Sequence, residues 1–590
     1  MRRRVAAAAA AVGVLLGGAL AGCTGMPDAG PVVDSDAGGS VDDDQAFAIN
    51  AVPPAPGAEA VDVVDGFLDA MTASPPRVDV VRQYLTTAAA AAWDPDAATI
   101  TYTDFSLLTE SPQSVTVDLV QGERLGSAGE WRGRLSPEQQ RLDLDVVIEN
   151  GEYRVANPPD ALVVPQRWFE QRYRAASLYF FDPGGRILVP QPVFVPRGER
   201  LVSTLVSRLV AGPGTELDGV ARSFVPTGLD AALSVPVTSD GVAVVELTGE
   251  PGRLGQDAGE KMLAQVGWTL AQDPSVRVLR LTVDGDPVLG PDGDDEYDVD
   301  RAAGLDPSVP AASTQLYGLR DGVLSRLDDT ELLPVDGVLG DGDLPLRSVG
   351  VRLDAGEAAA VSADGRTLYR APLRDVGGDP AAARPVAFRG TDLLTPVWDH
   401  AGRVWVVDRT KSGAVVRYLD GDRVRRVEVP GISGRLVSSF LVSRDATRFV
   451  AAVRDVGDPR DLGDEVRVGR IAVDDSGRPA AVASTRPIVL QSELQRRVKD
   501  IVWTSPTTIA MLVPTEPGEV FDVRSIGVDG SPVTDDAVST FITEPVLSLA
   551  GAPSPELPTY AVTRTSLRDL TQGGTYGFIG PPPTTLGYVG

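Results

Sequence analysis

The second half of this chain repeats one short motif: an apolar strand, a polar turn and a second apolar strand. Its copies begin at Val361, Val397, Val442 and Val502, so their starts lie 36, 45 and 60 residues apart. Hairpins with Asp-Gly or Ser-Gly turns lie between the copies, and a leading copy spans residues 316–327. The two shorter spacings are close to the length of one four-stranded propeller blade. The repeat therefore predicts an all-β region over residues 313–590, a β-propeller of about five or six blades.

A propeller must join its first and last blades, because an open sheet edge invites pairing with other chains. The apolar segment 543–564, together with the sequence TYGFIG at 575–580, is the candidate for the closing strands. Residues 581–583 are three prolines, which cannot donate to a strand ladder. We expect these prolines to lie outside the sheet.

The start of the chain has the layout of an export signal. Three arginines at 2–4 precede an apolar run that ends in Leu20, Ala21, Gly22 and Cys23, and this run is shorter than a bilayer span of about 20 residues. These last four residues resemble the lipobox of bacterial lipoproteins. That resemblance implies cleavage after Gly22, a diacylglyceryl thioether on Cys23 and acylation of its new amino group by a fatty acid such as palmitate. The alternatives are an ordinary secretory signal or a buried cysteine.

The lipobox resemblance divides the beginning of the chain into two segments. Residues 1–22 are predicted to be a lipoprotein signal peptide. Residues 23–56 are rich in Gly, Asp, Ser, Ala and Pro and carry too little apolar surface to order themselves, so they are predicted to be a flexible tether. Two or three acyl chains anchor a protein stably. The expected location is the extracytoplasmic face of the cell membrane.

Residues 57–196 are predicted to form an α+β region. Apolar residues recur at spacings of three and four along 61–71, which indicates an amphipathic helix. Apolar segments follow, and the Asn150-Gly151 pair predicts a hairpin between 141–149 and 152–159. Helices before a curled antiparallel sheet resemble the cone of nuclear transport factor 2. The aromatic-rich stretch 168–196 is interpreted as packing at a domain junction.

Residues 197–290 are predicted to form a second, smaller α+β region. A helix over 201–210 precedes a hairpin with its turn at 239–241, a second helix capped by Asp257 with Glu260, and a strand that ends at Asp284. The segments LVSTLVSRLVAGP, SVPVTSDGVAVVELTG and MLAQVGWTLAQDPSVRVLRLTVDGDPV resemble the GerMN domain of spore-germination and envelope proteins.

An acidic stretch over 291–312 separates the second region from the repeats. Five aspartates stand close together here and could be imagined around Ca²⁺: Asp292, Asp294, Asp295, Asp298 and Asp300. Their spacing does not match the EF-hand loop. We interpret the stretch as a solvated linker and predict no metal site.

The composition removes several classes of chemistry. Asp and Glu number 82 against 54 Lys and Arg, and a net charge of −28 argues against a nucleic-acid partner. The chain has one histidine, His400, which is interpreted as a surface turn residue, and it has no Gly-x-Ser-x-Gly elbow or phosphate loop. Trp398 and Trp503 occupy matching repeat positions and are interpreted as core packing rather than sugar stacking. No catalytic residue and no cofactor are predicted, and the chain is expected not to be an enzyme.

The combination of lipobox, cone-like region, GerMN-like region and C-terminal propeller resembles the actinobacterial lipoprotein LpqB family over essentially the whole chain. The resemblance implies a membrane lipoprotein that contacts the extracytoplasmic sensor region of the histidine kinase MtrB. It would thereby tune a two-component response that governs cell division and envelope homeostasis. The competing hypothesis is an envelope protein that binds or processes glycans through a face of the propeller.

Overall fold

The structure is a computed structural model. It describes residues 51–590 apart from 74–76, 112, 199, 251, 253, 374–385, 458–462, 475–476, 481–484, 491–493, 495, 517–519 and 534–537. The predicted signal peptide and nearly all of the predicted tether lie outside the described residues. Across the described ranges, no helix combines the length and the apolar character that a membrane span requires.

Among the described residues, far more lie in strands than in helices, and the α-helices with the following bounds lie in the first half of the chain. The α-helices are α1 (Ala60–Met71), α2 (Val78–Val81), α3 (Thr87–Ala92), α4 (Gln166–Arg172), α5 (Leu201–Val210) and α6 (Gln256–Leu270). Short 3-10 helices span Arg82–Tyr84, Thr215–Leu217 and Val299–Leu305. The fold is therefore mainly β, with the helices confined to two α+β regions.

The first region packs its helices against two four-stranded sheets. Its strands are β1 (Ala98–Tyr102), β2 (Asp104–Ser111), β3 (Ser114–Val120), β4 (Glu123–Gly126), β5 (Trp131–Arg134), β6 (Arg141–Glu149), β7 (Glu152–Val155) and β8 (Leu162–Pro165). The sheet orders are β5-β4-β1-β8 and β2-β3-β6-β7. Helix α1 buries Val64, Phe67, Leu68 and Met71, which confirms the predicted amphipathic face. The resemblance to a nuclear transport factor 2 cone stays a prediction.

The Asn150-Gly151 turn joins β6 to β7 as the sequence predicted. Asn150 has φ 54° and Gly151 has φ 86°, and Glu149 pairs with Glu152 across the antiparallel ladder. Two successive positive φ angles are the requirement of a type I′ hairpin turn, and an Asn-Gly pair meets it at little steric cost. The hairpin prediction is confirmed.

The second region folds around one crossover. Its strands are β9 (Tyr173–Phe181), β10 (Leu188–Pro196), β11 (Leu229–Ala231), β12 (Val242–Gly249), β13 (Val278–Val283), β14 (Asp286–Pro287) and β15 (Tyr297–Asp298). Strands β12 and β13 run parallel with α6 between them in the chain, and the sheet order is β11-β12-β13-β14 with β15 paired to β13. The two predicted helices and the last strand are confirmed. The predicted hairpin is present only at its turn, where Val237 bridges Ala243, because residues 232–236 form no strand. The region is GerMN-like.

Two predicted details of the second region differ from the structure. Helix α6 begins after Gly255, and Asp257 lies inside its first turn, where its carboxylate pairs with Lys261 at 2.8 Å. An acid in the first turn interacts with the helix dipole and with a base four residues on, so this residue does not cap the helix. The hairpin β9–β10, assigned to residues 57–196, packs mainly in the second region's core.

The acidic stretch is also not a free linker along its whole length. Tyr297, Val299 and Ala302 are buried in the core of the second region, and β15 adds to its sheet. The sequence did not predict this packing, because each buried residue is flanked by aspartates and other polar or small residues and the stretch has no apolar periodicity. The second region therefore extends beyond residue 290, while the charged side chains between 292 and 301 stay exposed.

The third region consists of many short antiparallel strands. They are β16 (Tyr317–Arg320), β17 (Val323–Asp328), β18 (Glu331–Pro334), β19 (Leu346–Val351), β20 (Glu357–Ser362), β21 (Thr367–Pro372), β22 (Val386–Arg389), β23 (Val397–Trp398), β24 (Val404–Thr410), β25 (Gly413–Asp420), β26 (Arg423–Val427), β27 (Leu436–Val442), β28 (Arg448–Arg454), β29 (Glu465–Arg470), β30 (Ala472–Val473), β31 (Pro479–Ala480), β32 (Arg486–Val489), β33 (Asp500–Ser505), β34 (Thr508–Glu516), β35 (Val520–Gly527), β36 (Thr540–Ile542), β37 (Val546–Ala550), β38 (Tyr560–Thr563), β39 (Ser566–Asp569), β40 (Gly574–Gly577) and β41 (Thr585–Gly587).

These strands form a propeller-like domain of four-stranded sheets. Sheet 1 has the order β18-β17-β16-β41, sheet 2 is β19-β20-β21-β22, sheet 3 is β23-β24-β25-β26, sheet 4 is β27-β28-β29-β32, sheet 5 is β33-β34-β35-β36 and sheet 6 is β37-β38-β39-β40. The innermost strands, β41, β19, β23, β27, β33 and β37, line one cavity of about 340 Å³ together with the residues that flank them. Strands β30 and β31 form a separate two-stranded ribbon.

The closing strand is not where the sequence placed it. Strand β41, formed by Thr585–Gly587 after the three prolines, pairs with β16 and so joins the end of the chain to sheet 1. The predicted closing segments, 543–564 and 575–580, contribute mainly to sheet 6, although Ile579 also bridges Glu331 of β18 in sheet 1. A three-residue strand has too little pattern to be recognised. The prolines at 581–583 lie outside the strands, as expected.

The first predicted repeat is out of phase with the others. The copies at Val397, Val442 and Val502 fall on the first hairpins of sheets 3, 4 and 5, whereas the copy at Val361 falls on the β20–β21 hairpin, the second in sheet 2. Both hairpins of sheet 2 have an Asp-Gly-type turn between apolar strands, so their local patterns are alike. The copy at Val361 is the second hairpin of its sheet, and the copy at Val397 is the first hairpin of the next. The 36 residues between their starts are therefore fewer than the length of one whole sheet.

Candidate functional site

The predicted lipobox, Leu20, Ala21, Gly22 and Cys23, lies outside the described residues, and its role as the lipid attachment site stays a prediction. The other residues singled out in the sequence lie apart from one another. The structure brings His400 to a contact between the second region and the propeller. It places the two tryptophans in the propeller and the acidic cluster at the edge of the second region.

His400 is half-buried and is not a free surface turn residue. Its backbone N–H donates to the carbonyl of Arg444 at 2.9 Å, and its Nδ1 lies 3.1 Å from the same oxygen. It lines a cavity of about 270 Å³ together with Asp182, Arg403 and Asp445. No hydrogen bond joins its ring to a serine, threonine or carboxylate of the described residues. The imidazole therefore helps to join two turns.

The two tryptophans are packing residues. Trp398 is fully buried, its Nε1 donates to the carbonyl of Gly350 at 2.9 Å, and the guanidinium carbon of Arg370 lies 5.4 Å from its ring centre. Trp503 is also buried, in the apolar cluster shared by sheets 4 and 5. Neither ring is displayed as a platform on which a sugar could stack, so the packing interpretation is confirmed.

The aspartates of the acidic stretch are engaged in local contacts. Asp292 pairs with Arg301 at 2.7 Å, and Asp298 accepts from the backbone N–H of Asp300 at the start of a 3-10 helix. Asp295 lies 3.6 Å from Arg280. Within the described ranges, no group of His, Cys, Asp or Glu is arranged to hold a metal ion.

Buried arginines form the contact between the second region and the propeller, which we call the arginine junction and define by Arg444, Arg448 and Arg470. The first two flank the turn between β27 and β28. The Nη1 of Arg444 donates to the carbonyl of Ser308 at 2.5 Å, and its Nη2 donates to the carbonyl of Val589 at 2.9 Å. One side chain thus joins sheet 4 to the segment that leaves the second region and to the end of the chain.

The other two arginines reach strand β10. Arg448 donates to the carbonyl of Pro190, and Arg470 donates to the side-chain oxygen of Gln191. The Arg448 side chain is 1% exposed, and its guanidinium lies 3.5 Å from the equally buried carboxylate of Asp445. That carboxylate also accepts from the backbone N–H and the hydroxyl of Thr447. A buried charge is costly unless it is paired and hydrogen-bonded, and this arrangement supplies both.

Burial determines the electrostatics of the junction. It lowers the pKa of Arg444 to about 10, partly offset by Asp306, and it also lowers the pKa of Arg448 and Arg470. A guanidinium with a pKa of about 10 is still protonated at neutral pH. Arg444 therefore acts as a charged donor to backbone carbonyls at neutral pH, and the three side chains together hold the second region and the propeller in contact.

The first and second regions also meet through a close backbone approach. The N–H of Phe194 in β10 donates to the carbonyl of Gly129 at 2.8 Å. Gly129 has φ 78°, and a Cβ at this position would stand 2.2 Å from the carbonyl oxygen of Phe194. Only glycine fits there. The Phe194 ring packs against Trp131 and Phe169 of the first region, so hairpin β9–β10 contacts both neighbouring regions.

Sequence reasoning missed the arginine junction. The turn of the copy at Val442 was interpreted as an ordinary polar turn. An arginine directly precedes the turn aspartate of this copy, Arg444 before Asp445, but the leading copy has the same pair, Arg320 before Asp321, so this signal could not single out the junction. The partners, the carbonyls of Pro190, Ser308 and Val589, have no sequence signature at all.

Three family models match this chain in the order of its regions. The model for the lipoprotein LpqB N-terminal domain matches residues 53–170, and a model described as sporulation and spore germination matches residues 177–289. The model for the lipoprotein LpqB beta-propeller domain matches residues 322–565. The second match begins within β9, which agrees with the packing of hairpin β9–β10 in the second region.

Curated relatives match along nearly the full length. Lipoprotein LpqB of Streptomyces coelicolor is 28% identical over 622 residues, covering 97% of this chain and 96% of its own. Lipoprotein LpqB of Mycobacterium bovis is 28% identical over 585 residues, covering 92% of each. Lipoprotein LpqB of Cutibacterium acnes is 26% identical over 560 residues, covering 90% of each.

Solved structures match parts of the chain. The first GerMN domain of the sporulation protein GerM from Bacillus subtilis is 21% identical, with a TM-score of 0.18, covering 21% of this chain and 97% of that domain. A nidogen/laminin complex is 11% identical, with a TM-score of 0.32, covering 46% of this chain and 97% of that chain. Scores this low carry no argument about function.

Proposed function

This chain belongs to the LpqB lipoprotein family, and from that membership we propose that it is a lipid-anchored accessory regulator of an MtrB-like sensor histidine kinase. In this proposal Cys23 carries the diacylglyceryl group and an acylated amino terminus, and the folded regions stand at the extracytoplasmic face of the membrane. They contact the sensor region of the kinase and modulate its response, which affects cell division and envelope homeostasis.

The arginine junction is the observation that supports this role best. A regulator that acts by contact must present a fixed arrangement of surfaces to its partner. Arg444 and Arg448 tie the propeller to the second region, and the Phe194–Gly129 contact ties the second region to the first. The described residues belong to one compact unit. Such a unit can offer surfaces from several regions to one partner at the same time.

Tethering to the membrane is the second physical argument for the proposed function. In the proposal, the predicted tether of residues 23–56 holds the folded unit near the membrane, so that a membrane-embedded partner meets it at a high effective concentration. Modest intrinsic affinity is then sufficient. The strongly acidic composition does not favour the anionic lipid surface itself, which suits a protein that acts on neighbouring proteins.

A role by contact, without catalysis, also accords with the surroundings of His400. General-base catalysis requires a base within hydrogen-bond reach of the group it deprotonates. The ring of His400 faces a backbone carbonyl. We include in the proposal that the chain is not an enzyme.

Co-purification from membranes tests the proposal. The full-length chain and the kinase are expressed together, the membranes are solubilised, and the kinase is captured through a tag. We expect the wild-type chain to be retained and a Cys23→Ala chain to be retained in much smaller amount, because the anchor supplies the effective concentration. Absence of the wild-type chain from the captured kinase, together with saturable binding of a peptidoglycan fragment, would overturn the proposal and favour the glycan hypothesis.

A further inference from the structure

A cleft of about 450 Å³ lies between the first and second regions, beside the Phe194–Gly129 contact. Strands β1, β4 and β8 of the first region line it, together with the turn between β4 and β5. Helix α5, the start of β9 and the residues that follow β11 line it from the second region. Its volume lies within the range of small-molecule sites. One small ligand could therefore contact both regions here.

Helix α5 contributes polar side chains to the cleft. They stand at spacings of three and four residues and so share one side of the helix axis: Arg200, Thr204, Ser207 and Arg208. The other side of the helix is apolar and is buried in the core of the second region. Within the described ranges, the hydroxyls of Thr204 and Ser207 make no hydrogen bond to the protein and remain accessible. Each can therefore donate to a ligand or accept from it.

Arg208 is a half-buried cation without an opposite charge beside it. Its Nη1 donates to the carbonyl of Phe194 at 2.5 Å, but it forms no ion pair with any carboxylate of the described residues. Its Nε and Nη2 make no hydrogen bond there either, and both atoms keep accessible surface. Burial lowers the pKa of Arg208, although Tyr173, Glu130 and Asp96 act in the opposite direction. Because a desolvated charge is costly when it is unpaired, an anion from solution would stabilise this side chain.

The two available nitrogens of Arg208 determine which anion fits. Nε and Nη2 lie on the same edge of the planar guanidinium, so their N–H groups are parallel and match the two oxygens of one carboxylate. A phosphate monoester also matches this edge, but it carries roughly 1.5 to 2 negative charges at neutral pH. Asp96 lines the same cleft and Glu130 acts on Arg208, so a second negative charge would be repelled. A single negative charge is therefore favoured.

Apolar groups complete the lining of the cleft. Leu162 is half-buried, and the side chain of Leu233 is fully exposed. The ring of Tyr173 stacks on the ring of Phe169 with 4.7 Å between their centres, so a neighbouring aromatic side chain supports it. These groups can pack against the apolar body of a ligand whose carboxylate binds the guanidinium.

We propose that this cleft, which we call the Arg208 cleft, binds a small organic monocarboxylate with an apolar body through Arg208, Thr204 and Ser207. In this arrangement Nε and Nη2 of Arg208 donate to the two carboxylate oxygens, and the hydroxyls of α5 bind the polar groups that flank them. Arg200 is exposed at the cleft and forms no ion pair in the part of the chain that the structure describes, so it adds a second attractive charge. The site is independent of the kinase contact and of the lipid anchor proposed above.

Titration with defined probes tests the site. The full-length lipidated chain is kept in a buffer and a detergent that contain no carboxylate, because such molecules would compete. N-acetylalanine, N-acetylleucine, the uncharged amide of each and inorganic phosphate are titrated separately by calorimetry up to about 10 mM, which is tenfold above a Kd of 1 mM. We expect at least one of the two acids to bind saturably with one site per chain and to raise the melting temperature. Its amide should bind at least tenfold more weakly, because it lacks the negative charge.

Variants locate the binding. In Arg208→Gln we expect the Kd of that acid to rise by at least tenfold, because two charge-assisted hydrogen bonds are lost. Arg423→Gln, which changes an exposed arginine of β26 outside the cleft, is the matched control and should leave the Kd unchanged. The double variant Thr204→Ala/Ser207→Ala should raise the Kd severalfold. It keeps the test valid if Arg208→Gln does not fold, since alanine is well tolerated in a helix.

Three results would overturn this inference. The first is that neither acid binds over this concentration range, whether or not phosphate does. The second is that an acid and its amide bind equally well, because the carboxylate would then not be recognised. The third is that an acid binds with the same Kd to the wild type, to Arg208→Gln and to the double variant, because it would then occupy another part of the surface.

Discussion

Arg444 donates a hydrogen bond of 2.9 Å to the carbonyl of Val589, the last residue but one of the chain. The same guanidinium donates to Ser308, in the segment that leads from the second region into the propeller. One buried side chain therefore fixes the entry to the propeller, the end of the chain and a turn of sheet 4. Closure of the ring and its attachment to the second region depend on a common set of contacts.

Loss of Arg448 should weaken this junction. In Arg448→Met, the carbonyl of Pro190 loses its donor and the buried carboxylate of Asp445 loses its ion partner. Removing one partner of a buried pair costs about 3–5 kcal/mol, so we expect a clear fall in melting temperature and faster proteolysis between the second region and the propeller. Arg426→Ala is the control, because Arg426 pairs with Glu428 at the surface and should change stability by less than about 1 kcal/mol. Equal melting temperatures for Arg448→Met and the wild type would contradict the account of the junction.

Deletion of residues 584–590 should open the propeller-like domain. It removes β41, the buried side chains of Leu586 and Val589 and one acceptor of Arg444. Burial of two such side chains is worth roughly 3–6 kcal/mol. We therefore expect a large fall in melting temperature by calorimetry, and self-association in size-exclusion chromatography because β16 becomes a free edge. Pro581→Ala, which changes an exposed residue outside the strands, should behave as the wild type. A truncated chain that is monomeric and equally stable would show that β41 does not close the ring.

Asp500 should give the protein a specific pH dependence. Burial raises the pKa of Asp500 to about 6, against its ordinary value of about 4 in an unfolded chain, although Lys499 and two backbone N–H groups act in the opposite direction. The folded state thus holds this proton more tightly. The contribution of Asp500 to stability is fully present below about pH 4 and is lost as the pH rises through about 6.

The variant Asp500→Asn cannot titrate and should lack this component. Melting temperatures measured between about pH 4 and pH 8 should therefore fall less steeply with rising pH in Asp500→Asn than in the wild type. Asp422→Asn, which changes an exposed aspartate, should follow the wild type. Parallel curves for the wild type and Asp500→Asn would mean that Asp500 titrates alike in the folded and unfolded chain.

Cys23 should carry the lipid anchor. Mass spectrometry of the mature protein from membranes should show an N-terminal cysteine that bears a diacylglyceryl group and usually an additional acyl chain. Cys23→Ala should lack these groups and leave the membrane fraction, while its melting curve should match the wild type because residue 23 precedes the regions predicted to fold. An unmodified Cys23 in the mature wild-type protein would contradict the lipoprotein assignment.

Local patterns predicted the elements of this fold well. The spacing of Val64, Phe67 and Met71 indicated α1, and Asn150-Gly151 indicated its hairpin, because both depend on residues close together in the chain. Predictions that needed distant partners were weaker. Tertiary packing determines three features that local sequence periodicity does not predict. They are the buried Tyr297 inside an acidic stretch, the three-residue closing strand, and the position of hairpin β9–β10 between two regions.

The candidate site shows the same contrast between features predicted from local sequence and features that depend on distant residues. His400 was recognised as the one histidine, but its half-buried place beside Arg444 depends on contact between neighbouring sheets. Arg448 and Arg470 act through carbonyl and amide oxygens of β10, more than 250 positions away in the chain. Since every residue carries a backbone carbonyl, such acceptors leave no trace in a sequence.

Kinase activity in a reconstituted membrane tests the central claim most directly. The full-length MtrB-like kinase is placed in lipid vesicles, and its autophosphorylation rate is measured with increasing amounts of the lipidated chain added to the face that carries the sensor region. We predict a saturable change in rate of several-fold, and a much weaker effect of the Cys23→Ala chain at the same concentration, because the tether no longer raises its effective concentration. A rate that stays constant while the wild-type chain is fully bound to the vesicles would contradict the proposed regulation.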